Sequence, residues 1–440
     1  MPQLNRVTES VIDRRPIRFH IRGLLGEFEH VVDLPVDHEF VILHGPNGVG
    51  KTRFLETINA VMRGELPEAD NVFETIVVEF SDKSKIRCSR HEGVFSWALS
   101  RGDGWEPIEG SGAEDYLPAV RPLLREGVIR RHLSGVFVHP ETGDRMTPQE
   151  VVERFSDRID PDLLPVPPAI TEFCQSTPAS LIEVNRLRLI EREVEGPRGM
   201  RTRDRDWVEA PDHYASKLSE FIKRARSNYA DSVQRLDRTY PRRLIDADTA
   251  PHEMLVTKLA ADVNDLRGRL EDTSLVERHD SVDIPSGDLP DWKMIALQLH
   301  YEDSLAQLQT LSSAADRIGL FLRIVNSKLT RKKMEVDPGR GFFFRSARGE
   351  ELLPGQLSSG EQHEVVMTYR LIFEAVPGET IFIDEPEVSL HVGWQRQFLD
   401  DLKEISQISG TRYVVATHSP QIVGTWRNRM VSLGVEGEQE

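Results

Sequence analysis

The segment Gly45-Pro46-Asn47-Gly48-Val49-Gly50-Lys51-Thr52 follows an apolar run, Phe40-Val41-Ile42-Leu43. It leads into Arg53-Phe54-Leu55-Glu56-Thr57-Ile58, whose apolar residues recur at helical spacing. The segment satisfies G-x-x-x-x-G-K-[ST], and strand, glycine loop and helix in that order is the context that pattern requires. It commits the chain to an α/β fold built around a phosphate-binding loop. Glycines there let backbone N–H groups turn inward around phosphates, and the helix N-terminus adds its positive end. Lys51 is placed to reach β- and γ-phosphates, and the Thr52 hydroxyl to ligate Mg²⁺. Gly45, Asn47, Gly48, Val49, Gly50, Lys51, Thr52 and Arg53 are therefore the candidate residues around an ATP phosphate tail.

Far downstream, Glu379-Thr380-Ile381-Phe382-Ile383-Asp384-Glu385 reads as an apolar strand ending in two acids. A continuous apolar run fits a parallel strand buried on both faces. Carboxylates at its C-terminal end sit where open α/β sheets bind ligands. Asp384 is the candidate metal residue beside Thr52. Glu385 is the candidate base that polarises the water attacking the γ-phosphate. A further apolar run, Tyr413-Val414-Val415-Ala416-Thr417, ends at His418. Its place past the acids suits a γ-phosphate sensor, which makes Lys51, Glu385 and His418 the catalytic candidates.

Leu357-Ser358-Ser359-Gly360-Glu361-Gln362 stands one helical stretch, His363 to Ala375, ahead of the acidic strand. Alone it reads as a helix cap with an acid in the first turn. Placed in this order with the other three segments, it resembles the signature of ABC-type ATPases, usually written L-S-G-G-Q. The whole set resembles the ABC ATPase heads of the SMC, RecF and OLD-nuclease group. The Asp384-Glu385-Pro386-Glu387-Val388-Ser389-Leu390-His391 and Thr417-His418-Ser419-Pro420 runs are most similar to the OLD-like branch. The resemblance covers residues of about 14–100 and 320–435. Stand-alone ATPase subunits of bacterial anti-phage systems such as PARIS and Septu look the most alike.

That resemblance implies a P-loop ABC ATPase head with an antiparallel β-subdomain and an inserted helical, short coiled-coil-like region. It also implies ATP and Mg²⁺ as cofactors. Ser358, Ser359, Gly360 and Glu361 would then approach the γ-phosphate held by a second subunit, so that ATP joins a head-to-head homodimer or a higher oligomer. The expected activity is ATP hydrolysis to ADP and phosphate, used to sense infection and control a separate effector. One departure is the lack of an evident glutamine linking Mg²⁺ to the attacking water. Asn185, after the candidate strand Ser180–Glu183, is the candidate for that place.

Along the chain, residues 1–208 are expected to form the N-terminal lobe of the head, 209–329 a helical insertion and 330–440 the C-terminal lobe. Pro16–Arg22 and Glu27–Leu34 read as a hairpin, and Thr75–Phe80, Lys85–Arg90 and Val94–Leu99 as an antiparallel meander. Gly135–His139 reads as a strand. Within the insertion, apolar stripes run through Leu218, Phe221, Ile222, Ala225, Tyr229, Val233 and Leu236. Two more run through Leu255, Leu259, Val263, Leu266 and Leu270, and through Met294, Leu297, Tyr301, Leu305 and Leu308. Pro241, Pro251 and the loop through Pro285 and Pro290 are expected to separate helices of roughly 20–30 residues, some 30–45 Å long. Such an insertion serves either as a lid on its own head or as a docking surface. Gly341–Arg345 reads as one strand of a hairpin leading into Leu357.

The net charge of −17 opposes broad salt-driven nucleic-acid binding, which needs a basic face. Two local basic stretches, Arg186 to Arg205 and Arg331-Lys332-Lys333, keep a DNA contact open, without interleaved aromatic residues for base stacking. No leader and no apolar run of about 18 residues is evident, so a cytoplasmic protein without a membrane span is expected. Cys88 and Cys174 have no metal-type spacing. Little chain follows His418, so a nuclease effector is expected in trans. The alternative is a DNA-repair clamp of RecF or SMC type, and a transporter ATPase subunit ranks below both.

Overall fold

The computed structural model describes residues 14–434, except 69–70, 92–93, 103, 109–115, 133–135, 141, 147, 156–157, 161–162, 164–165, 184–209, 248, 250, 278–288 and 389. The chain divides into two compact units, Met1–Asn185 with Ala375–Glu440, and Arg186–Glu374.

The first unit contains a five-stranded, wholly parallel sheet in the order Ala179–Glu183, Thr380–Asp384, Arg412–Ala416, Phe40–His44, Met430–Ser432. Its central strands are buried along almost their entire length, as a sheet covered on both faces demands. Register aligns Glu183, Asp384, Ala416 and Leu43 across the sheet. The residues that follow Asp384, Ala416 and Leu43 therefore leave it together, at one carboxyl edge.

The expected hairpin and meander are both present, and they are one structure. Pro16–Leu24 pairs with Phe28–Asp33 on one side and with Thr75–Phe80 on the other. The result is a six-stranded antiparallel sheet continuing through Lys85–His91, Val94–Ser100 and Glu106–Pro107. Helix Lys51–Arg63 touches both sheets. Its Phe54, Leu55 and Ile58 join one core with Phe19, Ile21 and Val78 of the antiparallel sheet and Val41, Leu43, Phe382 and Val414 of the parallel one. The phosphate-loop helix is thus held by apolar burial on two sides. Buried Arg412 fastens the two sheets further: its guanidinium donates to the carbonyls of Pro16, Leu34, Pro35 and His38.

The second unit carries the helices Ala210–Ile245, Glu253–Asp272, Asp291–Gln309 and Ser312–Lys328, of 36, 20, 19 and 17 residues. The sheet Lys332–Asp337, Gly341–Ser346 and Glu351–Leu352 follows, then helix Ser359–Tyr369. Phe321 meets Phe342, Tyr369 and Phe373 edge-to-face, and Tyr369 stacks on Phe373, forming an aromatic cluster in its core. Gly341, at φ 83°, is required by the first helix: a Cβ there would lie 1.7 Å from the Ala215 carbonyl oxygen.

Two expectations about this region need correction. Pro241 does not end the first helix, which continues to Ile245. Tertiary tethers hold the last turn despite the lost backbone bond. The Tyr240 hydroxyl donates to Ala296 O at 3.3 Å, and Arg243 pairs with Asp303. The buried face of Glu253–Asp272 runs through Val256, Ala260, Val263, Leu266 and Leu270, whereas Leu255 is 43% exposed. Between the two expected insertion boundaries there is also a helix, Ser312–Lys328, that the stripes left unassigned. Of the expected strand at 135–139, Phe137–Val138 is seen, and Gly135 lies outside the described residues.

Candidate nucleotide-binding site

The carboxyl edge of the parallel sheet gathers three of the four motifs. After strand Phe40–His44 the loop turns through Gly48 (φ 91°) and Gly50 (φ 84°) into helix Lys51–Arg63. Both are left-handed conformations that favour glycine. Gly45 has a different reason: a Cβ would lie 2.1 Å from the Leu433 carbonyl oxygen, beside strand Met430–Ser432. Asn47 and Gly48 are exposed at the loop tip, and Val49 is buried. Buried His30 bonds the Val49 carbonyl at 2.9 Å and stacks on Phe28, bracing the loop from beneath. Arg53 pairs with Glu56 at 3.1 Å on the helix flank.

Lys51 donates to the carbonyls of Gly45 and Pro46, each at 3.0 Å, so its ammonium lies over the loop. Burial pushes its pKa down, while Glu385, Asp384 and Glu387 pull it back up. The Thr52 hydroxyl donates to Asp384 Oδ2 at 2.8 Å. Burial pushes the Asp384 carboxyl up to about 6, against the Thr52 bond and with help from the Glu385, Glu56 and Glu387 charges. Asp384 Oδ1 is buried with no hydrogen-bond partner among the described residues. A desolvated acid with one idle oxygen beside a hydroxyl is a hard-oxygen pair of the kind that suits Mg²⁺.

Glu385 sits one residue beyond, at φ 45°, a left-handed conformation that a glutamate rarely adopts. Its N–H is held by the Ala416 carbonyl at 2.9 Å. Strain at such a position is a mark of functional sites. The His418 Nε2 lies 4.0 Å from Glu385 Oε1. Lys51, Thr52, Asp384, Glu385 and His418 thus share one sheet edge. Such a set can hold a triphosphate and its metal and present an acid and an imidazole to an attacking water.

Sequence reasoning assigned no role to Glu387, Gln395 or His30. Glu387 accepts from the His418 N–H at 2.6 Å and the Thr417 hydroxyl at 2.7 Å. Its only sequence signal was its place in the run from Asp384 to His391. Asn185 and the Arg186 to Arg205 stretch lie outside the described residues, as does Ser389.

In the second unit, Ser358 is the N-cap of helix Ser359–Tyr369 and forms a capping box with Glu361. The Glu361 carboxylate accepts from Ser358 N and Oγ, each at 2.8 Å, and from Lys332 at 2.8 Å. These contacts hold the Glu361 carboxyl below its usual range despite burial. Ser359 is exposed and Gly360 half-buried at the start of the helix. Lys332 is therefore engaged by an internal acid.

Fold and sheet edge together define a P-loop nucleotide-binding protein. Residues 201–424, a little more than half of the chain, match the family described as "AAA domain, putative AbiEii toxin, Type IV TA system", and the chain belongs to that family. No curated protein matches it. Among solved structures it is similar to an Smc head domain with an extended coiled coil bound to the C-terminal domain of ScpA, from Pyrococcus furiosus. Identity there is 13%, coverage 95% of this chain and 93% of that one, and the TM-score 0.35. An SmcHead bound to the C-winged helix domain of ScpA gives 12%, 95%, 94% and 0.37. The SMC head domain from Thermotoga maritima gives 10%, 93%, 91% and 0.31. Among the described residues, no helix is long and apolar enough to cross a membrane.

Proposed function

We propose that this chain is an ATPase whose two copies close head-to-head on ATP and Mg²⁺, and that the closed form controls a separate effector, a nuclease, in bacterial anti-phage defence. The observation that carries the reading is the convergence at one sheet edge of Lys51, the Thr52–Asp384 pair, and Glu385 with His418 4.0 Å away. Lys51 and the loop N–H groups bind the phosphate tail. Thr52 and Asp384 would hold the metal, which would screen charge on the phosphate oxygens. Glu385 takes a proton from the attacking water, and His418 keeps that water in line.

Ser358, Ser359, Gly360 and Glu361 supply the partner-facing cap, with N–H groups at a helix start suited to a phosphate. Control of an effector agrees with a family described by a toxin–antitoxin system. The net charge of −17 weighs against the DNA-clamp alternative.

The test is phosphate release together with sedimentation. Lys51→Ala should not bind ATP. Glu385→Gln should bind ATP, stall turnover and sediment as an ATP-dependent dimer. Glu385→Gln turning over at the wild-type rate would remove the base assignment, and a monomer with ATP bound would remove the dimer. Capture of the Glu385→Gln form from its native cell then separates the effector reading, which expects a nuclease, from the clamp, which expects DNA.

A further inference from the structure

Exposed His418 stands on a loop, and a loop backbone sets where a side chain can point. Three successive residues of that loop are tied to the segment that follows the acids. The two carboxylate oxygens of Glu387 divide between Thr417 Oγ1 (2.7 Å) and His418 N (2.6 Å), across 30 and 31 positions of sequence. Thr417 Oγ1 accepts in turn from Ser419 N at 3.0 Å. Ser419 Oγ donates to Gln395 Oε1 at 2.6 Å, and the Gln395 amide donates to the carbonyls of Leu390 and Glu387 at 3.1 and 3.4 Å.

Bonds to an ionised acceptor are roughly twice as strong as neutral ones, so the Glu387 pair dominates this clasp. Glu387 is two residues past Glu385, whose own backbone is fixed at φ 45° and by the Ala416 carbonyl. The acid and the imidazole are therefore positioned from one short rigid segment.

We infer that Glu387 is a positioning residue for hydrolysis: it sets the separation of His418 from Glu385 by clamping the Thr417–His418 backbone. The inference rests on the reading of Glu385 and His418 as the hydrolytic pair. Both oxygens of Glu387 are already engaged, so it acts through His418 and does not serve as a second base. A glutamine can keep both contacts, accepting from His418 N–H and donating to a reoriented Thr417 hydroxyl. An alanine keeps neither.

The experiment is steady-state ATP turnover by the full chain, with nucleotide affinity measured separately using a fluorescent ATP analogue. Glu387→Ala is expected to lower kcat by about 100-fold, the effect of roughly 1 Å misplacement, without weakening nucleotide binding. His418→Ala should do the same, and the double variant should be no slower than His418→Ala alone. Glu387→Gln should restore most of the rate. Thr417→Val, which removes one arm, should fall between, and it carries the test if Glu387→Ala does not fold. Wild-type kcat in Glu387→Ala beside a slow His418→Ala overturns this inference alone. So do additive losses in the double variant, or affinity falling together with kcat. Normal turnover in His418→Ala overturns the hydrolytic pair and this inference with it.

Discussion

The Thr52 hydroxyl donates to Asp384 Oδ2 across 2.8 Å, joining residues 332 positions apart in the chain. The contact spans from the phosphate-loop helix to the end of a strand two places away in the parallel sheet. It leaves Asp384 Oδ1 as the idle oxygen.

Asp384→Asn should therefore retain ATP binding through Lys51 and lose Mg²⁺-dependent turnover by on the order of 10²–10³-fold, the value of several kcal/mol of metal assistance. Thr52→Ser, which keeps the hydroxyl, should stay active. Titration of Mg²⁺ against phosphate release by both variants checks this.

Arg412 is 3% exposed and serves four carbonyls on the first hairpin and its exit. Arg412→Met should destabilise the first unit by at least about 3 kcal/mol, because several buried acceptors lose a charged donor at once. A lowered denaturation midpoint measured on the intact chain would register the loss. A midpoint unchanged from wild type would show that water replaces the guanidinium.

Within the second unit, Lys328 and Glu364 form an ion pair with side chains only 2% exposed, and Thr368 adds a bond to the carboxylate. Lys328→Met alone should cost about 3–5 kcal/mol, because it strands a buried charge. The double variant Lys328→Met with Glu364→Leu should recover much of that loss. A double-mutant cycle in thermal melting reads the difference.

His363, buried on the helix that Ser358 caps, has its pKa pushed down by burial to about 4, from an ordinary value of 6.5. Between those values the unfolded chain binds a proton that the folded chain refuses. Stability should therefore fall as pH drops from about 6.5 toward 4. His363→Gln should flatten that part of the melting profile and leave the profile above pH 7 unaltered.

The phosphate loop was legible because its chemistry is contiguous: eight residues and their flanks carry the whole argument. The acid pair and His418 were legible for a similar reason, each ending an apolar run. The clasp from Glu387 to Thr417 was not, because a glutamate two residues after the proposed base looks like any solvated acid until the strands are aligned. Nor could the left-handed backbone of Glu385 be read from an ordinary residue type. In the helices, local rules met tertiary contacts and gave way. Proline at 241 is a helix breaker on paper, yet Tyr240 and Arg243 anchor the turn on either side of it. Leu255 and Val256 are both apolar, and only packing selects Val256. The union of hairpin and meander was likewise invisible, since 50 or more residues separate Pro16–Leu24 from Thr75–Phe80.

Strand Arg412–Ala416 lies between the phosphate-loop strand and the acid strand, so the loop made first has no acid strand or His418 beside it until one of the last segments arrives. Such distant pairing makes for slow folding on any route. Both neighbours of the phosphate-loop strand in the described sheet, Arg412–Ala416 and Met430–Ser432, are made near the end of synthesis. The ATP turnover proposed above would therefore report that strand Arg412–Ala416 has taken its place.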